Sequence, residues 1–496
     1  MNVVPPQVSA RPRPAAALLR MTYPRILLLV FFVSLPFANP VVHGDGVGYY
    51  AYARAPLIQR DLHFEADWKR ANLNFSLSRT RSDGEVDPGQ YTPTGHIANP
   101  FAVGPAILWS PFLLVTHAGV LIVDALGGKV PADGFSAPYR VAMGLGTAVW
   151  GFLGLWFSFL MARKFTSEKW AFLATLGIWF ATALPVYMYF NPSWSHAHSV
   201  FAVALFLWYW DRTRTSRTFP QWIALGLIGG LMLDVYFPNG VFFLLPLLDA
   251  IRSYVRGLRP LAATVLLREL ACNSVFLAAI TLSFLPTLIT RRIVFGGILR
   301  FGTYSAIAWQ WDAPFWRQVL FSSDHGLLSW TPVLSIAVVG LAFGLFARPL
   351  RGLSSSLLLV SLAFYYLFSS DPYWDGMSSF GNRFFLSLTP IFIFGLALLF
   401  HRLHLQLQSS TRLFPAASAF LFLLVLWNAG LIYQWGTHLI PARGPVSFRE
   451  IAHNQFLLVP RQLRSQLHAY FFRRSDLMRQ IEQRDIDQLN GATPSN

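Results

Sequence analysis

Apolar blocks divide the chain, at 26–42, 101–123, 139–162, 170–190, 199–210, 221–233, 241–251, 270–290, 327–346, 353–369, 384–400 and 413–437, with shorter polar stretches between them. A run of about 20 apolar residues can cross a bilayer only as a helix or in a closed barrel, because hydrocarbon satisfies no free backbone N–H or C=O group. Barrel strands would alternate apolar and polar residues over about ten positions, and these blocks are continuous. The expectation is an all-α, polytopic transmembrane helical bundle. With 54% hydrophobic and 12% charged residues, a string of soluble domains and an enzyme on a single anchor are both excluded. Several blocks are too short for a full crossing, as expected where helices line a cavity rather than lipid.

Charge sets the orientation. The net charge of +16 comes from cations clustered between apolar blocks, so it reads as orientation signal and anionic-lipid contact rather than as a nucleic-acid surface. Arg11, Arg13, Arg20 and Arg25 precede the first block, and no small-x-small cleavage site follows it. An uncleaved helix leaving a cytoplasmic segment 1–25 is expected. Beyond residue 160, the loops 163–169, 211–220, 251–268, 347–352 and 401–412 hold 14 Lys or Arg, whereas 191–199, 234–240, 291–325 and 370–383 hold five. The basic set should be cytoplasmic. Twelve simple crossings would place it outside, so the count must be off by one before residue 163. Block 101–123 is the suspect, because Gly104-Pro105 and Pro111 break its helix and make it re-entrant or interfacial. The count becomes 11 or 13 for a transmembrane domain spanning 26–440. Loop 43–98, the sparsely charged loops and an Arg-rich amphipathic tail at 441–496 then share the extracytoplasmic face of a bacterial inner or plasma membrane, although the charge rule alone would pull the tail inward. Cys272 is the single cysteine, which excludes a disulfide framework and a cysteine metal site.

Candidate chemistry gathers in the sparsely charged loops. Asp45 stands between Gly44 and Gly46 where the first helix leaves the membrane. A carboxylate in such a place can be partly desolvated, hence more basic than in water, and still reach a substrate. Asp45 is therefore the first candidate for a general base; the bland reading is an Asp-Gly turn. The segment 49–58, with Tyr49, Tyr50 and Arg54, is expected to lie flat in the interface and roof a site. The acids Asp61, Glu65, Asp67, Asp83, Glu85 and Asp87 read mostly as solvated loop charges. His96 leads a rigid, Pro-marked approach to the next helix. His196 and His198 stand two apart, a spacing that suits one metal in a loop but points the rings apart in a helix. Asp234 ends an apolar block, where an ionised group is either paired or used. His325 lies in a polar loop ahead of an aromatic helix start. The segment 371–383, with Trp374 and Asp375, closes on Arg383 at a helix N-terminus, a setting whose donors suit a phosphate.

Together, Gly44-Asp45-Gly46 with Tyr49-Tyr50, Gly104-Pro105 with Trp109 and Pro111, Ser195-His196, and Trp374, Gly376, Ser379-Phe380-Gly381 and Arg383 resemble the GT-C superfamily of membrane glycosyltransferases, which includes the protein O-mannosyltransferase and aminoarabinose transferase families. The resemblance spans most of 20–400. It implies a GT-C-like bundle with a helical first outer loop. A sugar would pass, with inversion, from a polyprenyl-phosphate-linked donor to an acceptor hydroxyl of a lipid, glycan or protein. Asp45 would be the catalytic base, Arg383 and Arg54 the donor-phosphate ligands, and Tyr49, Tyr50, His96, His196, Asp234, His325, Trp374 and Asp375 the substrate contacts. The chain departs from several relatives in the glycine neighbours of Asp45, in the Ile97-Ala98 that follows His96, and in the lack of an acid in loop 191–199. No nucleotide fingerprint occurs, no cofactor is assigned, and a divalent metal is left open. A lipid-linked-sugar transporter or flippase, or a non-catalytic subunit on the same scaffold, are the alternatives.

Overall fold

The computed structural model describes residues 22–258, 262–300, 308–408 and 410–489. Arg11, Arg13 and Arg20 of the N-terminal segment, and Arg259 of a basic loop, lie outside the described residues. In chain order the principal helices are α1 (Tyr23–Ser34), α2 (Gly46–Arg54), α3 (Gly104–Ala125), α4 (Ala137–Arg163), α5 (Glu168–Phe180), α6 (His196–Thr213), α7 (Phe219–Val235), α8 (Leu244–Gly257), α9 (Ala263–Phe295), α10 (Val333–Phe343), α11 (Arg351–Ser369), α12 (Thr389–Gln406), α13 (Leu413–Gly436), α14 (Val459–Phe472) and α15 (Arg474–Leu489). Extended pairing among the described residues is confined to two isolated bridges, Thr80 with Val86 and Tyr91 with Ile97. The protein is an all-α, polytopic helical bundle. Among the described residues six helices are long and apolar enough to cross a membrane, and Tyr23–Phe37, Phe219–Val235 and Val333–Phe346 are shorter apolar ones.

Helix packing depends on small residues where backbones approach. A Cβ on Gly340 of α10 would lie 2.0 Å from the Gly395 carbonyl oxygen of α12, and one on Gly395 would lie 2.2 Å from the Ala337 carbonyl oxygen. Without a hydrophobic drive between helices in lipid, such close contact supplies the dispersion attraction that holds them. The most apolar 18-residue stretch of Arg383–Gln406 has 89% of its residues buried and forms the axis of the bundle, whereas the α9 and α13 spans present most of their apolar surface outward.

The two loop classes occupy opposite ends. At one end Lys164 and Arg214 pair with Asp211, Lys169 meets His404, and the Trp210 indole N–H donates to Asp249. At the other end the sparsely charged loops meet segment 43–98. The Arg291 guanidinium at the end of α9 donates to the carbonyls of Asn99, Pro100 and Phe101 at 2.7–2.8 Å, and the Thr92 and Thr94 hydroxyls donate to the Val294 carbonyl.

Two expectations are corrected. The helix of block 101–123 is unbroken over 22 residues: Pro105 sits in its first turn, where no intrahelical N–H is needed, and Pro111 is accommodated inside it. Phe101, just before the helix, packs on Tyr49, and Asp133, in the loop that follows it, pairs with Arg70 of the same 43–98 segment. The segment 49–58 does not lie flat at the surface throughout: Tyr49 to Ala55 are buried, and exposure begins only at Pro56.

The C-terminal helices also lie at the 43–98 end. The Tyr470 hydroxyl donates to the Phe37 carbonyl at 2.7 Å, and Arg474 donates to the Ala38 and Pro36 carbonyls, so the tail satisfies the orphan carbonyls where α1 ends.

Candidate active site

Asp45 occupies the N-cap position of α2, yet its side chain makes no capping bond. The chain around it is fixed by other groups. The Gly44 N–H donates to Asn72 Oδ1 at 3.1 Å, the His43 N–H donates to Ser193 Oγ at 3.2 Å, and the Trp194 indole N–H donates to the His43 carbonyl at 2.8 Å. Gly44 has φ +54°, a left-handed conformation suited to glycine, and a Cβ on Gly46 would fall 1.9 Å from Ser193 Oγ. Both glycines let loop 191–195 close over Asp45, which leaves its carboxylate half-buried and directed away from its own helix.

Arg383 lies opposite. It opens a 3-10 turn, Arg383–Leu388, that leads into α12. Its Nη1 stands 3.2 Å from Asp45 Oδ2. Its guanidinium lies 4.2 Å from the Trp194 ring centroid, a cation–π contact, and its buried Nε has no hydrogen-bond partner among the described residues. The loop that presents it wraps around Tyr187: the Phe380 N–H donates to the Tyr187 hydroxyl, which donates to the Phe380 carbonyl. The Asn382 amide donates to the Trp374 carbonyl at 3.0 Å. A planar fork with one edge on a carboxylate and another N–H unsatisfied is a ready site for an anionic oxygen.

His196 packs between the rings of Tyr187, Trp194 and Tyr236 at 4.9, 6.1 and 5.7 Å, and Ser195 Oγ donates to the Tyr49 hydroxyl at 3.1 Å. Tyr187, Tyr236 and Tyr49 all lie within electrostatic range of Arg383. The structure therefore gathers Asp45, Arg383, His196 and Tyr49.

Other candidates stand elsewhere. Arg54 is at the far end of α2, where its Nε and Nη2 donate to Asp67 at 2.7 and 2.6 Å, Nη2 also donates to Gln59, and Phe135 covers its face, away from the Asp45–Arg383 pair. The structure thus gives Arg54 a buried ion-pair role and removes Asp67 from the solvated loop charges. Burial pushes the Asp67 carboxyl up while Arg54 pulls it down. Tyr50 is buried and donates to the Gly134 carbonyl at 2.7 Å. His96 sits at the surface, stacked on His63 at 4.7 Å. Asp234 is sealed against α9, where Thr287 donates to it at 2.5 Å, and next to the backbone of Gly104.

His325 and Asp375 support the Arg383 loop from behind. The His325 ring meets the Asp375 carbonyl at 3.0 Å through Nδ1, and burial pushes this imidazole below its ordinary value of 6.5, against the pull of Asp324. Burial also pushes Asp324 and Asp371 above the usual carboxylate range. Trp374 is half-buried against Phe315.

His196 and His198 open α6, where helical geometry turns them apart: His198 packs on Trp109 instead. Among the described residues no three His, Cys, Asp or Glu side chains converge as a metal site. Sequence reasoning assigned no role to Trp194, Tyr187 or Asn72. Trp194 lay in a segment already singled out, whereas Tyr187 sits within an apolar block and Asn72 in a polar loop, and nothing local marks either.

Comparison with known proteins matches no family model and no curated protein. Among solved structures the chain is similar to ArnT from Cupriavidus metallidurans bound to undecaprenyl phosphate, at 13% identity and a TM-score of 0.49 over 85% of this chain and 66% of that one. It is also similar to the archaeal oligosaccharyltransferase AglB from Archaeoglobus fulgidus, in complex with an inhibitory peptide and a dolichol-phosphate, at 15% identity and a TM-score of 0.43 over 88% and 54% of the two chains. The chain thus spans about two thirds and about half the length of these proteins.

Proposed function

We propose that the protein is a membrane glycosyltransferase that moves a sugar from a polyprenyl-phosphate-linked donor to an acceptor hydroxyl on the extracytoplasmic face, with inversion. The observation that carries this reading is the 3.2 Å contact between Asp45 and Arg383, with Arg383 Nε left unsatisfied among the described residues. The donor phosphate binds Arg383, whose fork matches two phosphate oxygens. Asp45, released from the ion pair, accepts the proton of the acceptor hydroxyl. The new bond joins the acceptor oxygen to the anomeric carbon. The bond from that carbon to the phosphate oxygen breaks, and its electron pair leaves with the phosphate, where Arg383 stabilises the growing charge. Base and leaving group act on opposite sides of the sugar, which gives inversion.

The test is Asp45→Asn in membranes, with lipid-linked glycans and their acceptors followed by mass spectrometry. Loss of transfer at unchanged expression supports the reading; full retained transfer removes it. Movement of labelled lipid between leaflets with no new glycosidic bond would instead identify a transporter.

A further inference from the structure

The strap 35–45 joins α1 to α2 and ends on Asp45. Between Ala38 and His43 it forms neither helix nor strand, so its polar groups need partners from elsewhere in the chain. The C-terminal helices supply several. Tyr470 and Arg474 donate to the carbonyls of Pro36, Phe37 and Ala38, and the Asn39 amide donates to Met478 Sδ at 3.2 Å. One turn further along α15, the Glu482 carboxylate accepts the Leu73 N–H at 2.5 Å. Leu73 opens a short helix whose N-cap residue is Asn72, the same residue that accepts the Gly44 N–H. A first-turn N–H has no partner within its own helix, and a carboxylate suits that end. The Asp485 carboxylate then lies 3.8 Å from His43 Nε2 and 2.6 Å from His438 Nε2. Arg474, Met478, Glu482 and Asp485 recur every three or four residues, so a single face of α15 meets the strap and its support.

We infer that Glu482 and Asp485 are positioning residues for Asp45, acting through Asn72 and His43 to hold the strap in the course that aims the carboxylate at the substrate site. The inference rests on the transferase reading, in which Asp45 is the base. Asp45 has helical backbone angles, φ −52° and ψ −27°, whereas a residue that caps a helix takes extended ones. The course of the strap therefore withholds the carboxylate from the open N–H groups of α2, to which a freed aspartate would turn. The attachment of the tail also favours transmission. A cavity of about 870 Å³, with Val186 and Ile432 on the bundle side and Leu467 and Ile481 on the tail side, separates α14 and α15 from the bundle. Apolar packing beneath the tail is thus discontinuous, and the polar contacts across the gap carry more of its attachment. His43, Asn72, Glu482 and Asp485 all line that cavity. Misplacing a reacting group by about 1 Å can slow a reaction on the order of a hundredfold, so loss of these contacts reaches the chemistry without touching the reacting atoms.

The test compares the full chain in phosphatidylcholine nanodiscs with the double variant Glu482→Ala, Asp485→Ala. Protection of peptides covering 38–50 against hydrogen exchange should fall roughly tenfold or more, while peptides covering 139–162 keep theirs. Transfer in membranes, followed by mass spectrometry of lipid-linked glycans and their acceptors, should also fall roughly tenfold or more. Affinity for polyprenyl phosphate should stay within about twofold, because Arg443 still donates to Ser378 and the arginine loop is untouched. That split between rate and affinity marks positioning; a tail that merely stabilised the fold would move both. Glu482→Gln, which keeps an acceptor for the Leu73 N–H, should stay near the wild type in every readout. Unchanged protection of 38–50, undiminished transfer with a freed strap, affinity lost in step with transfer, or a Glu482→Gln variant as impaired as the alanine pair would each overturn the inference. Exchange and affinity require no turnover. Full transfer by Asp45→Asn would remove the transferase reading whatever the strap does, whereas a freed strap with undiminished transfer removes this inference alone.

Discussion

Asp45 and Arg383, 338 positions apart in the chain, meet as an ion pair at 3.2 Å beneath the indole of Trp194. The carboxylate serves no helix cap and the guanidinium retains a buried N–H with no partner among the described residues, so both ends of the pair are arranged for something other than local structure.

Removing the base isolates the chemical step. Asp45→Asn is expected to lower the rate of transfer about 100- to 10,000-fold, the usual contribution of a positioned proton acceptor, while donor binding persists. Single-turnover assays with purified protein, alongside polyprenyl phosphate binding, measure the two separately.

Arg383→Lys keeps the charge and loses the fork. Hydrogen bonds to charged groups contribute roughly 1.5–3 kcal/mol, so donor affinity should weaken by about ten- to a hundredfold. Titration with polyprenyl phosphate checks this; unchanged affinity would take the phosphate role away from Arg383.

Arg54→Ala should act on stability. It strands the buried Asp67 carboxylate, and breaking a buried pair from one side costs about 3–5 kcal/mol. The double variant Arg54→Ala with Asp67→Asn should recover much of that loss. Thermal unfolding in detergent reads the difference, and donor affinity in the folded fraction should stay at the wild-type value.

Gly46→Ala tests the closure of loop 191–195. Its Cβ would fall 1.9 Å from Ser193 Oγ, an overpacking expected to cost about 1–3 kcal/mol. Adding Ser193→Gly should relieve it. Activity restored by the second change would tie the defect to the displaced loop.

His325 should give the Arg383 loop a pH dependence. Its folded value lies below the unfolded one, so the unfolded form binds the proton more tightly. The contribution of the neutral ring is complete above about pH 6.5 and declines as pH falls below that value. Protection of peptides covering 370–383 against hydrogen exchange, taken relative to the intrinsic rate at each pH, should therefore fall between pH 7 and 5. His325→Gln, which keeps a donor for the Asp375 carbonyl without titrating, should flatten the profile.

Much of the architecture was legible because its cause is local. Continuous apolar runs demand helices, and cation counts assign loops to ends, so the bundle and the grouping of 43–98 with 191–199, 234–240, 291–325 and 370–383 were readable before any contact was known. Asp45 and Arg383 could be singled out too, since each stands among glycines and aromatics at the edge of an apolar block, although their meeting could not be read. What could not be read depended on partners. Arg54 looked like a phosphate ligand, and nothing beside it announces the pairing of its fork with Asp67, thirteen residues on, or the cover of Phe135 across a loop. Pro111 looked like a helix breaker, but a single proline's missing bond is small beside the packing of a 22-residue helix.

The chain's own periodicity and charge determined which segments are helical and which loops lie together, because hydrocarbon and water sort residues one segment at a time. The tertiary structure alone decided that Trp194 supports Arg383, that Tyr187 shapes the arginine loop, and that the C-terminal helices enclose a cavity lined by His43 and Trp194. Those relationships arise from side-chain contacts between segments more than a hundred residues apart, and no local pattern encodes the distance between them.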